Sequence, residues 1–153
     1  MASVSGGLCV LRWNDDRRRT RGYLERVFPE IAWEEDERPL REWRRQLDAF
    51  LKGASKKFDP PLVLRPTPFQ GKIWRLLRQI PYGQTISYRE LAARAGCPKS
   101  VRAAANACGQ NPVAVAIPCH RVVRGNGTPG GFSSGLQRKQ ALLELEDMEP
   151  RKN

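Results

Sequence analysis

One histidine, His120, is all the chain has, and none of its four cysteines, Cys9, Cys97, Cys108 and Cys119, belongs to a CxxC pair. These shortages leave no ligand-pair spacing for a structural zinc, and no metal is expected. No apolar run approaches the roughly 20 residues that a membrane span needs, and the N-terminal MASVSGG lacks the basic-then-apolar layout of a signal peptide. An intracellular protein without membrane contact, cytoplasmic or nucleoid-associated, is therefore expected. In that setting the cysteines stay free thiols. The GxxxxGK[ST] pattern of a phosphate-cradling loop is missing too, although Gly125 to Gly135 (GNGTPGGFSSG) is rich in glycine and suits a lid over a pocket.

The most informative scarcity is of acid. From Leu62 to Lys139 there are twelve Lys or Arg against one acid, Glu90, while the rest of the chain holds 15 residues of each sign. The whole formal charge of +11 sits in that segment. A neutral portion joined to a basic one is the layout of a polyanion-binding module with a scaffold, and nucleic acid is the leading partner. A single cluster such as Arg17 to Arg19 reads as solvated surface; so long a stretch nearly free of acid does not. With 153 residues, 40% hydrophobic and 28% charged, the composition is globular and allows one domain or two small lobes.

Periodicity divides the chain. Cys9 to Trp13 reads as a short strand, and Thr20 to Phe28 has helical spacing. A clearer helix carries Leu40, Trp43, Leu47, Phe50 and Leu51 on one face, with Pro39 near its start and Gly53 as its stop. Pro60, Pro61 and Pro66 mark a linker, so an α/β scaffold lobe (1–60) is expected to precede a mainly α-helical domain (61–153), the boundary lying near residues 59 to 66. In the second part, Thr67-Pro-Phe-Gln70 and Ser87-Tyr-Arg-Glu90 have the spacing of capping boxes. The helix from Thr67 buries Phe69, Ile73, Leu76, Leu77 and Ile80. The one from Ser87 stops at Gly96, and a third carries Val101, Ala104, Ala105 and Cys108 on one stripe and Lys99, Arg102 and Asn106 on another. Two short helices with a tight turn between them predict a helix-turn-helix. Its second helix is rich in alanine, which favours close approach to the minor groove or the backbone over base reading in the major groove.

The chemistry is expected where the apolar run Val113 to Ile117 gives way to Pro118-Cys119-His120-Arg121. A cysteine flanked by histidine and arginine has a cationic neighbourhood, which favours the nucleophilic thiolate. Cys9, Cys97 and Cys108 suit the commoner role of small buried hydrophobes.

These residues carry a resemblance. Ile117-Pro-Cys-His-Arg-Val-Val123, preceded by Asn111-Pro112 and followed by Gly131-Phe-Ser133 and Leu142-Leu143-Glu-Leu-Glu146, closely resembles the O6-alkylguanine-DNA alkyltransferases, and Thr67–Gln70, Ile80–Gly83 and Ser87-Tyr88 extend the match. The resemblance covers about Pro66 to Glu146. It implies repair of double-stranded DNA by direct reversal, with no cofactor: the alkylated guanine is flipped out and its alkyl group passes irreversibly to Cys119. It makes His120 the base, acting through a water, Glu146 its orienting partner and Asn111 the brace of the turn. It gives Tyr88 a part in rotating the nucleotide and contacting the base, Arg102 the gap left in the stack, and Ser133 with the main chain at Cys119 and Val122 the guanine edge. Phe132 stands where members often have tyrosine, which bears on pocket shape. A monomer is expected.

Two other readings remain. An alkyltransferase-like lesion sensor binds without transferring, but such proteins replace the cysteine, and Cys119 is present. A Cys-His hydrolase would bring its pair together from distant parts of the chain, whereas neighbouring side chains on an extended segment point apart.

Overall fold

Ser5 and Gly6, both at positive φ (48° and 75°), turn the chain tightly enough to pair β1 (Ala2–Val4) antiparallel with β2 (Gly7–Val10). In this computed structural model, which describes residues 1–13 and 17–146, β2 is the strand that gathers distant segments. Leu8 donates to Pro61 O (2.8 Å) and accepts from Val63 N (3.1 Å). One residue past β2, Leu11 donates to Pro112 O (2.9 Å) and accepts from Ala114 N (3.0 Å). The strand expected at Cys9 to Trp13 thus starts earlier, at Gly7, and its hairpin partner β1 was not foreseen.

α1 (Arg17–Val27) turns Leu24 inward, and with Phe28, Cys9 and Val10 it forms a small core of its own. A 3-10 turn at Arg38–Leu40 leads into α2 (Arg41–Leu51), which buries Leu47 and Phe50. These two join the main core, which runs through the rest of the molecule.

The capping box at α3 (Pro68–Arg78) is complete: Thr67 Oγ1 accepts from Gln70 N, and the Gln70 side chain accepts from Thr67 N at 2.9 Å. The second box is only half formed. Ser87 Oγ accepts from Glu90 N (3.0 Å), but the Glu90 carboxylate faces solvent and pairs with Arg94 one turn on (2.6 Å). Ser87 itself ends β3 (Ile86–Ser87), which pairs parallel with β4 (Val122–Val123).

α4 (Tyr88–Arg94) and α5 (Val101–Gly109) pack on each other and on α3 as the helix-turn-helix, and α6 (Leu136–Leu145) closes the described chain. The architecture is a small α/β N-terminal region followed by a mainly helical one containing that motif. Among the described residues no helix is long and apolar enough to cross a membrane.

The inner face of α5 differs by one position from the expected stripe. Ala104, Ala107 and Cys108 are buried, while Ala105 turns partly outward. Trp74, absent from the expected stripe of α3, decides how α3 and α5 meet. Its Nε1 donates to Ala107 O at 2.9 Å, and that carbonyl is one of the last four of α5, which have no partner within the helix. Trp74→Phe leaves the carbonyl buried and unpaired, so a loss of about 1–3 kcal/mol is expected in urea unfolding followed by circular dichroism.

Candidate active site

Cys119 opens a 3-10 turn, Cys119–Arg121, at the end of a segment buried without interruption from Asn111. The turn before it is held by one side chain. Asn111 Oδ1 accepts from Val113 N (2.9 Å), and its Nδ2 donates both to Ile117 O (2.8 Å) and to Cys119 Sγ (3.1 Å). Inside this turn Val115 has φ 70°, a left-handed conformation that a β-branched residue rarely adopts. The bonds of Asn111 and the pairing of Leu11 with Val113 hold the strained backbone in place.

Behind the thiol lies a buried polar network. The Glu146 carboxylate, fully buried, faces His120 Nε2 at 2.8 Å, accepts from Arg121 Nε (2.9 Å) and Nη2 (2.9 Å), and accepts from Gly83 N (3.1 Å). Burial works against its charge, but the bonds from His120, Arg121 and Gly83 outweigh it and hold the carboxyl at about 2. His120 is lowered from its ordinary value, because burial outweighs the attraction of Glu146, so the imidazole is neutral at pH 7. A carboxylate at Nε2 fixes the Nε2–H tautomer and leaves Nδ1 as the acceptor. That buried Nδ1 meets no hydrogen-bond partner among the described residues.

The expectation that flanking histidine and arginine favour the thiolate needs correcting. His120 is neutral, and Arg121 turns away to Glu146 and to Ile80 O (2.6 Å). Burial pushes the Cys119 thiol above its ordinary value; the Asn111 bond and the nearby Lys139 ammonium offset this only in part. The resting group is a protonated thiol.

In front of Cys119 opens a cavity of about 810 Å³. Tyr88, Arg102, Phe132 and Ser133 line it together with Cys119. Asn111, His120 and Glu146 stand behind the cysteine. Val122 is not brought to the cavity: it is fully buried, and its carbonyl accepts from Lys139 Nζ at 2.5 Å. Cys108, read from sequence as a packing residue, is buried as expected but also lines the cavity, where burial raises its thiol far above the ordinary range. Tyr88 OH donates to Gly131 O (3.2 Å), and burial raises it to about 12, so it remains a proton donor. Gly130 allows that contact: at φ 70°, a Cβ there would lie 2.9 Å from the Tyr88 ring.

Lys139 is the functional candidate that sequence reasoning missed. Burial lowers it to about 8, and besides Val122 O it reaches Gly131 O at 3.3 Å. A signal was available, since Lys139, Leu142, Leu143 and Glu146 follow one helical stripe, and a charge in a buried stripe needs a partner.

Residues 68–148 match the family model described as the DNA-binding domain of 6-O-methylguanine DNA methyltransferase, which is more than half of the chain. The chain belongs to this family. A methylated-DNA–protein-cysteine methyltransferase of Methanosarcina acetivorans is 45% identical over 115 residues, 75% of this chain and 74% of its own. The crystal structure of Mycobacterium tuberculosis O6-methylguanine methyltransferase, 36% identical, superposes with a TM-score of 0.81 over 98% of this chain and 87% of its own. The structure of Mycobacterium tuberculosis OGT in complex with DNA, 47% identical, gives 0.65 over 67% and 64%. Membership makes the protein a protein-cysteine S-methyltransferase, an enzyme of DNA repair by alkyl transfer.

The Glu146 carboxyl ties stability to pH. Its folded value lies below the ordinary 4.5, so it contributes stability that is present above 4.5 and lost as the pH falls from there towards about 2. Glu146→Gln should therefore be less stable than the parent protein at pH 7, with the difference shrinking across that window, as read from urea midpoints at a series of pH values.

Proposed function

We propose that the protein repairs O6-alkylguanine in double-stranded DNA by rotating the nucleotide into the 810 Å³ cavity and taking the alkyl group onto Cys119, once per molecule. The observation that carries this reading is the placement of one buried cysteine, its Sγ held by Asn111, at the floor of a cavity whose rim is the exposed Arg102–Asn106 face of α5.

An alkyl group on O6 of a stacked base is out of reach of a buried thiol, so the nucleotide must leave the stack at a cost of a few kcal/mol. The basic segment offsets this with sequence-independent phosphate contacts, and α5 presents only small residues besides Arg102 and Asn106, which suits the minor groove. Arg102, exposed at the rim, fills the gap left in the stack. The guanine edge meets Ser133 and the main chain beside Phe132.

The thiol proton passes through a water to Nδ1 of His120, the nitrogen that Glu146 leaves unprotonated. Sulfur attacks the alkyl carbon in line; the S–C bond forms as the C–O6 bond breaks. The developing oxyanion takes a hydrogen bond from Tyr88 OH, which is still protonated at neutral pH. The product is a thioether, which has no low-energy route back, so the molecule is consumed. The other reading, lesion binding without transfer, is disfavoured by the presence of Cys119 itself.

Incubation with a duplex carrying O6-methylguanine, followed by intact-protein mass and peptide mapping, should show one added methyl group on the Cys119 peptide. Cys119→Ser should abolish transfer while duplex affinity stays within a few fold; transfer surviving in that variant removes the assignment. Arg102→Ala should slow repair of the duplex by a larger factor than reaction with free O6-alkylated guanine, because only the duplex requires extrusion. Equal slowing of both would place Arg102 in folding or chemistry instead.

A further inference from the structure

The backbone beyond β2 bridges the two sides of the cavity. On one side Leu11 exchanges two hydrogen bonds with Pro112 and Ala114, inside the turn that carries Asn111 and leads to Cys119. Two residues on, the Trp13 ring meets the ring of Phe132 on the opposite wall, with centroids 6.4 Å apart and planes tilted by 51°. A segment of the N-terminal region is therefore fastened to the backbone behind the thiol and braced against the wall in front of it.

Trp13 is well placed to brace Phe132. Phe132 sits in the glycine-rich stretch Gly125 to Gly135, whose backbone has little intrinsic rigidity. Its neighbour Gly131 is tied by its carbonyl to Tyr88 and Lys139; the half-buried Phe132 ring packs against the edge of the main core, and among the described residues Trp13 is the one aromatic ring paired with it. Where that ring stands decides how much room lies between the wall and Cys119.

From this geometry we infer that Trp13 is a specificity-determining positioning residue: by fixing Phe132 it sets the width of the cavity and hence the size of alkyl group transferred. The inference rests on the proposed transfer to Cys119. With Trp13 in place the wall is held towards the thiol, which suits a small alkyl group; without it Phe132 can retreat into the vacated space. A bulky group then gains room as a methyl group loses its fit.

The experiment uses the full chain and one duplex sequence carrying either O6-methylguanine or O6-benzylguanine, with the rate of alkylation followed by intact mass. Trp13→Ala is expected to raise the benzyl-to-methyl rate ratio by about two- to tenfold, the worth of one aromatic pair, and Trp13→Phe to restore the parent ratio. Phe132→Leu supplies the control: in that background Trp13→Ala should leave the ratio unmoved. A residue that merely supports the fold would lower both rates alike through the fraction of active protein. If Trp13→Ala folds poorly, Trp13→Leu is measured in its place, since the ratio does not depend on how much protein is active. An unchanged ratio in a reacting Trp13 variant, or an equal change with and without Phe132, overturns the inference. Failure of the parent protein to alkylate Cys119 from either duplex instead removes the proposed function, before Trp13 is considered.

Discussion

The buried carboxylate of Glu146 is the interaction on which the rest of the structure depends. An ionised carboxyl out of water costs several kcal/mol unless donors surround it, and here the donors arrive from two separate turns of the fold. Gly83 comes from the turn after α3, His120 and Arg121 from the turn that carries Cys119, and the carboxylate from the end of α6. Arg121 extends the tie to Ile80 O. Removing one partner of such a cluster typically costs about 3–5 kcal/mol, because the remaining charges stay buried without compensation. The same bonds set the tautomer of His120. Tertiary structure and proton chemistry are thus one network, and neither can be altered alone.

Burial of the thiol has two opposing effects. It suppresses ionisation of Cys119, which lowers reactivity at rest and limits attack on stray electrophiles. It also places the sulfur in a poorly hydrated site where a thiolate, once formed, is a stronger nucleophile. The surroundings supply moderate compensation: an amide from Asn111 at 3.1 Å and a lysine that burial lowers to about 8. Such a site keeps its proton until a base can take it.

Local signals were the most legible part of the sequence. Thr67 and Gln70 form the box that their spacing predicts, since both groups lie in the same helical turn and need nothing from elsewhere. Ser87 and Glu90 have the same spacing and form half of it, because an exposed glutamate found Arg94 a turn away. The β1–β2 hairpin was missed although Ser5-Gly6 is a turn signal, as three residues of strand carry too little pattern to register. Trp74 was missed for a different reason: its role comes from a carbonyl 33 residues away, which no window can contain. Within the site, Cys119 stood out by its local chemistry, whereas Asn111, Tyr88 and Glu146 were named only through resemblance. Nothing in the sequence around Asn111 or Tyr88 distinguishes them from ordinary polar residues, while Glu146 shares the apolar stripe of Lys139, Leu142 and Leu143.

The pairing of Leu11 with Val113 also bears on when the protein can become what it is. A chain emerges from the ribosome N-terminus first, and domains fold as their parts become available. β2 emerges before the segments it gathers, and the edge beyond it waits for Val113, the helix-turn-helix having emerged in the meantime. His120 follows soon after, but its carboxylate partner is 26 residues further on. Until then the histidine has no fixed tautomer and the cysteine no enclosing pocket. The buried network behind Cys119 is thus assembled only once Glu146 has been made, and a nascent chain that stops short of it carries that thiol in an unassembled, uncommitted state.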